Sequence, residues 1–188
     1  MLITNFSPFP ILETDRLVLR TLTHADAPEM FRYRSSETIM KYIARPRAKT
    51  IEDAIVLIDR INTNVANNEG INWGITLNGS EKTIGYIGYM SFRKEDYRAE
   101  IGYLLSDEFH RQGIMQEAIR AVLAYGFNEI GLHSVSANVD PENIASLSIL
   151  EKIGFKREAY FREDFYYDGK FLDSVILSLL GWEFESNL

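Results

Sequence analysis

The chain contains no cysteine, so a disulfide framework, a thiolate zinc site and a cysteine nucleophile are excluded before any pattern is read. Histidine is scarce as well. His24, His110 and His133 are the only three, and no two stand at a metal-ligand spacing such as HxxxH, so no metal is expected. Basic charge is short too, with 20 Lys and Arg against 27 Asp and Glu and a formal charge of −7. That balance argues against nucleic acid as a partner, because its phosphates call for a basic face. An acidic surface would instead attract cationic amines and basic protein tails. No apolar run approaches the ~20 residues that span a bilayer, and the apolar start MLITNFSPFPILE lacks the basic flank and small-residue cleavage site of a secretion signal. A cytoplasmic protein with no membrane partner is expected. The nucleotide fingerprints GxxxxGK[ST] and strand–GxGxxG–helix are missing, which lowers kinase and dehydrogenase readings.

What is present fits one globular domain over residues 1–188, with 46% hydrophobic residues, no repeat and no linker. Arg16–Arg20 alternates charged and apolar side chains as a strand does. Thr23-His-Ala-Asp26 and Thr50-Ile-Glu-Asp53 match the capping box that opens a helix. After the second box, Ile51, Ala54, Ile55, Ile58, Ile61 and Val65 form one helical face. Strands are expected at 72–77, 83–92 and 98–105, a helix over 115–130 and a strand at 133–139. Asn143 can cap a further helix that Gly154 ends, and two last strands flank the Asp168-Gly169 turn. Gly85 and Gly88 inside a strand suggest a bulge or close packing. The aromatic run Tyr160, Phe161, Phe165, Tyr166 and Tyr167 is expected to pack on the sheet, with lining of an acceptor site as the second reading. The order β-α-α-β-β-β-α-β-α-β-β predicts an α/β (α+β) fold, a mixed sheet with helices on both faces. Exposed strand edges at the last hairpin would allow a homodimer.

The most informative stretch runs from Ala99 to Ala118: a strand, a short polar loop with Gly113, and a helix start. A glycine there lets backbone N–H groups converge at the positive end of the helix, which makes an anion cradle. This stretch resembles motif A of the GCN5-related N-acetyltransferase (GNAT) family, approximately [QR]xxGx[GA] after a strand. His110-Arg-Gln-Gly113-Ile-Met115 departs from it at both ends, and Met115 leaves less room near a diphosphate. The second block, Asn138 to Phe155, resembles the family's closing motif, with Asn143, Ser146 and a final Gly154-Phe155. Ala-Glu-Ile-Gly-Tyr before the loop is most similar to the RimJ/RimL-like ribosomal-protein N-terminal acetyltransferase branch.

The resemblance implies a mostly antiparallel central sheet with a splayed strand pair, and acetyl-CoA as co-substrate. It implies that the backbone of Tyr103, Leu104 and Leu105 pairs with the pantetheine arm. The backbone of Arg111, Gln112, Gly113, Ile114, Met115 and Gln116, beside His110, would hold the diphosphate, with charge added by Arg111. Asn138 and Asn143 would orient the pantetheine or adenosine side. Glu100 is the first candidate for the general base, with Glu163 and Asp164 as counterparts on the penultimate strand. The family's usual acidic tyrosine is replaced by Leu150, and Ser146 resembles the serine that contacts the sulfur in the ribosomal branch. The acceptor expected is a primary amine at the N-terminus of a protein, a ribosomal one by the resemblance, since an α-amine near pKa ~8 loses its proton more easily than a lysine near ~10.4. A small amine such as a polyamine, an aminoglycoside or an amino-acid derivative is the alternative. A CoA-binding regulatory protein without turnover is the third reading.

Overall fold

The computed structural model describes residues 2–186. Its eight strands form one sheet: β1 (Leu12–Glu13), β2 (Leu17–Arg20), β3 (Ile71–Leu77), β4 (Thr83–Arg93), β5 (Arg98–Leu105), β6 (Ser134–Val139), β7 (Lys156–Tyr167) and β8 (Lys170–Leu180). The spatial order is β1-β2-β3-β4-β5-β6-β8-β7, and every neighbouring pair is antiparallel except β5–β6. The helices are α1 (Ala27–Ser35), α2 (Glu37–Met40), α3 (Ile51–Ala66), α4 (Ile114–Tyr125), α5 (Ile144–Ile153) and α6 (Gly181–Glu185). The mixed, mostly antiparallel sheet expected from the sequence is present, with the short β1, α2 and α6 added to the expected order.

Strand alternation assigns the two faces. Ile101 and Leu105 of β5 pack into one core cluster with Ile119 and Val122 of α4 and Leu147 and Leu150 of α5. Leu104 joins a second cluster with Tyr33 of α1, Ile58 of α3 and Tyr86 of β4. The α3 face legible in the sequence is the buried one at Ala54, Ile58 and Ile61, and a wholly buried isoleucine such as Ile58 contributes roughly 1.5–3 kcal/mol. Both capping boxes form, through the Asp26 and Asp53 carboxylates, although the first opens a single 3-10 turn at His24–Asp26 ahead of α1. Gly85 and Gly88 are close-packing sites: a Cβ at Gly88 would collide with Ile71 and Asn72 of β3.

One expectation is refined and another fails. The helix expected over 115–130 is present but changes type, with α4 ending at Tyr125 and running on as a π-helical turn over Gly126–Ile130. The Tyr89 hydroxyl donates to the Val122 carbonyl (2.9 Å), sharing that acceptor with the Gly126 amide where the helix changes type. The aromatic run does not pack as expected. β6 supports β8 only as far as the Val139–Val175 pair, and the outer β7–β8 ribbon carries Tyr160, Phe161, Tyr166 and Phe171 exposed.

The feature that positions a site is the β5–β6 pair. Its parallel register holds only over Arg98–Glu100 against Ser134–Ser136, after which the strands part. Beyond that point Ile101–Leu105 pair with β4 alone.

Candidate active site

The loop after β5 gives the parted strands one wall. Arg111 (φ 60°) and Gly113 (φ 77°) lie in the left-handed region, with Gln112 outside it between them. Alternating handedness turns successive N–H groups toward one side, which makes a nest for an anion, and the nest opens here on the N-terminus of α4. Gly113 is the N-cap residue, and the first α4 amide with a backbone acceptor is that of Glu117, which donates to the Gly113 carbonyl (3.0 Å). The amides from Arg111 to Gln116 make no other hydrogen bond among the described residues. They are free donors in one place.

Side chains hold this loop rather than line it. A His110 ring nitrogen contacts the Leu105 carbonyl (3.1 Å), and the Gln112 side-chain amide donates to the Glu108 carbonyl (2.9 Å). Met115 is 7% exposed and packs in the core, so its bulk turns inward and the expected crowding of the cradle does not arise. The Arg111 side chain is exposed beside the amides.

Sequence reading missed the clamp behind the loop. Arg16 donates to the Gln112 carbonyl (2.9 Å) and to the Glu117 carboxylate (2.6 Å), and Thr14 donates to the same carboxylate (2.6 Å). Burial pushes the Glu117 carboxyl up, but the hydrogen bonds from Thr14 and Arg16 outweigh it and hold the group below its ordinary value. The β1–β2 end of the sheet is thereby tied to the first turn of α4.

Across the opening stands α5. Asn143 is its N-cap, its side-chain oxygen accepting from the Ser146 amide (3.1 Å). The Ser146 hydroxyl lies 2.7 Å from the Tyr103 hydroxyl on β5, so one hydrogen bond bridges the parted strand and the helix. Burial pushes the Tyr103 phenol up to about 12, against the lowering effect of Ser146, so it stays protonated at neutral pH. The pair holds two hydroxyl protons and makes one mutual bond. One O–H donor is left over whichever way that bond runs. Leu150 is wholly buried in the core and supplies no hydroxyl, in line with the sequence. The tyrosine that stands near the serine comes instead from β5, where only its backbone was expected to act.

Glu100 is the last β5 residue paired with β6 and lies on the sheet face opposite Ile101. It lines an open cavity of about 200 Å³ with Ser91, Arg93, Arg98, Ser136 and Ile176. The protein around its carboxyl pushes the group above the ordinary carboxylate value, while the charges of Arg45 and Arg98 pull it down less strongly. Asn138 is exposed on β6, opposite Ile176.

The other two carboxylates are committed elsewhere. Asp164 accepts from the Ser174 hydroxyl (2.8 Å), and the Glu163 amide donates to Asp173 (2.8 Å) from a left-handed backbone (φ 52°). Both sit in an irregularity of the β7–β8 ladder between Phe161 and Phe165, outside the residues that line the Glu100 cavity. A second hollow, about 290 Å³ between the N-terminal segment and α3, is lined by no ionisable side chain and stands apart from the parted strands. Among the described residues no cluster of His, Asp and Glu could hold a metal ion, and no helix is long and apolar enough to cross a membrane.

Parted strands, an amide nest at a helix start and a carboxylate below the opening define an acyl-CoA transferase architecture, and comparison with known proteins agrees. The acetyltransferase (GNAT) domain matches residues 16–156. The chain is 37% identical over 172 residues to the uncharacterized N-acetyltransferase YoaA of Bacillus subtilis (strain 168), covering 92% of this chain and 97% of that protein. It is 23% identical over 176 residues to the ribosomal protein uS5 alanine N-acetyltransferase of Escherichia coli (strain K12), covering 89% of each. A GNAT-family acetyltransferase structure from Bacillus anthracis superposes with a TM-score of 0.82 at 29% identity, covering 93% of this chain and all of that one. The chain belongs to the GNAT family and is an acetyl-CoA-dependent N-acetyltransferase.

Proposed function

We propose that the chain transfers the acetyl group of acetyl-CoA to a primary amine at the N-terminus of a protein, by direct attack of the amine on the thioester. The observation that carries this reading is the run of free amides from Arg111 to Gln116, beside strands that have already parted. Those amides take the diphosphate, Arg111 adds charge, and the unpaired edge of Tyr103–Leu105 accepts the pantetheine arm as an added strand. Asn138 and Asn143 orient the pantetheine or adenosine side. A backbone N–H on that edge stabilises the oxyanion of the tetrahedral intermediate more than the ground-state carbonyl.

Glu100 takes the proton released by the attacking nitrogen, directly or through water. Its raised basicity and its place below the opening support that role over Glu163 and Asp164, whose backbone or side chain is engaged within the ribbon. The spare hydroxyl proton of the Tyr103–Ser146 pair stabilises the departing thiolate. A ribosomal acceptor is supported by the RimJ/RimL-like sequence blocks and by the likeness to the uS5 enzyme.

Titration calorimetry with acetyl-CoA, followed by thiol release over a panel of peptides and small amines, tests the reading. Saturable binding and release that depends on an N-terminal α-amine are expected. Turnover confined to polyamines or aminoglycosides would replace the acceptor, and tight binding with no release would leave a CoA-binding protein.

A further inference from the structure

The formal charge of −7 suggests that this protein favours cationic acceptors, but the charge at the Glu100 cavity has the opposite sign. Between Glu37 and Glu52 the chain carries Lys41, Arg45, Arg47 and Lys49 and no acid. This basic loop is tied to α1 through Arg34, whose carbonyl accepts from the Ala48 amide (3.0 Å) and whose guanidinium donates to the Pro46 carbonyl (3.3 Å). Arg47 is offset by Glu37 (3.5 Å), and Lys41 lies in the field of Glu142 and Asp140. Arg45 is exposed and has no side-chain partner among the described residues, yet its charge reaches Glu100. From the other side Arg98 lines the cavity, held only by a long contact to Ser134 (3.5 Å), while Arg93 is balanced by Asp96. Arg98 therefore lines the cavity beside Glu100, and Arg45, outside the lining, adds its charge to the same field, so two guanidinium charges act on one carboxylate.

We propose that the acceptor carries an anionic group, a carboxylate or phosphate, a few bonds from the amine it presents, and that Arg98 binds that group within a field to which Arg45 adds. The inference rests on the reading of the Glu100 cavity as the acceptor site. Its physical basis is the local field. An ammonium brought into a cavity with excess positive charge is disfavoured, so the amine enters in its neutral, nucleophilic form. A polyamine carries further ammonium groups past the same arginines and is repelled. An anion beside the amine reverses that cost, and a guanidinium fork matches carboxylate and phosphate oxygens in pairs. The acid-rich remainder of the surface discourages strongly anionic molecules elsewhere, which confines this preference to the one cavity.

The test compares kcat/KM for two peptides that share an N-terminal alanine and differ in having Asp-Asp or Lys-Lys next. L-glutamate and spermidine are added as small acceptors, and acetyl-CoA affinity is measured in parallel. At low salt the acidic peptide is expected to exceed the basic one at least about tenfold, and the ratio shrinks in 0.5 M salt. The Arg45→Glu variant is expected to bring the ratio within about twofold of unity or invert it, with melting temperature and acetyl-CoA affinity unchanged, because Arg45 is exposed. Arg98→Gln gives an independent loss of preference should the loop rearrange. Turnover of glutamate above the acidic peptide assigns the anion to a small molecule, and the reverse assigns it to a protein N-terminus. Preference for the basic peptide or spermidine in the unaltered protein, or a ratio untouched by both variants, overturns the inference while leaving the transferase reading intact. Binding of acetyl-CoA with no turnover of any amine overturns both.

Discussion

At the scale of single residues, the proton inventory of the opening gives the sharpest expectations. The Tyr103–Ser146 pair has a spare donor in either orientation, so Tyr103→Phe or Ser146→Ala alone still leaves one hydroxyl. Each single change is expected to lower kcat about 3- to 10-fold with little effect on acetyl-CoA affinity. The double change removes the last donor and should lower kcat by more than the product of the two, which a double-mutant cycle reads directly. Additive losses would mean that the two hydroxyls act independently and share no common donor role. Glu100 has a raised carboxyl, so the rate through it falls as pH drops through that raised value, where the group takes up a proton and ceases to be a base. Glu100→Gln is expected to cost about 10²-fold below the optimum pH and less above it, where the amine deprotonates unaided. An unchanged pH–rate profile would move the base to water, Glu163 or Asp164. Glu100 and Ser146 stand out in the sequence as candidates by their motif positions. The Tyr103 hydroxyl contact does not, because its partner lies 43 residues away and the contact exists only once α5 is docked.

At the scale of elements, local pattern was enough for the strands around the site and for α3, since their apolar periods coincide with the faces they bury. It failed where another element interferes. The change from α to π helix after Tyr125 coincides with a Tyr89 hydroxyl arriving from β4, a contact that no period in residues 115–130 can signal. The clamp from Arg16 to Gln112 and Glu117 spans about a hundred residues of sequence, and in the sequence Arg16 reads only as a strand residue. The β7–β8 ribbon carries a strand-like aromatic run, but the sheet partner that would cover it stops at Val139. These contacts set a prediction for the cradle. Gly113 sits at φ 77°, and an added Cβ would come 3.4 Å from an Arg16 guanidinium nitrogen. Gly113→Ala is expected to cost about 1–2 kcal/mol of loop conformation and to weaken acetyl-CoA about tenfold by calorimetry, with the fold retained. Arg16→Ala should weaken it in the same direction by freeing the loop.

At the scale of the whole molecule, the fold brings the β2 end, the α1 entry and β4 together on one buried carboxylate. Burial pushes the Asp26 carboxyl up, but hydrogen bonds from Arg20, Thr83 and the Thr23 amide, with the charge of Arg20, outweigh it and hold the group below its ordinary value. A lowered carboxyl stabilises the folded state above its unfolded value of ~3.9, and that contribution is lost as pH falls through the lower folded value. Asp26→Asn is therefore expected to cost about 2–3 kcal/mol at pH 7 and to show a shallower loss of melting temperature below pH 4 than the unaltered protein. The central claim is that the amides from Arg111 to Gln116 receive the diphosphate of acetyl-CoA next to strands parted for its pantetheine arm. Backbone amide hydrogen exchange with and without CoA tests it most directly. Strong protection of Arg111–Gln116, with protection on the unpaired edge of Tyr103–Leu105, is the predicted result; saturating CoA that leaves those amides exchanging as in the free protein would contradict it.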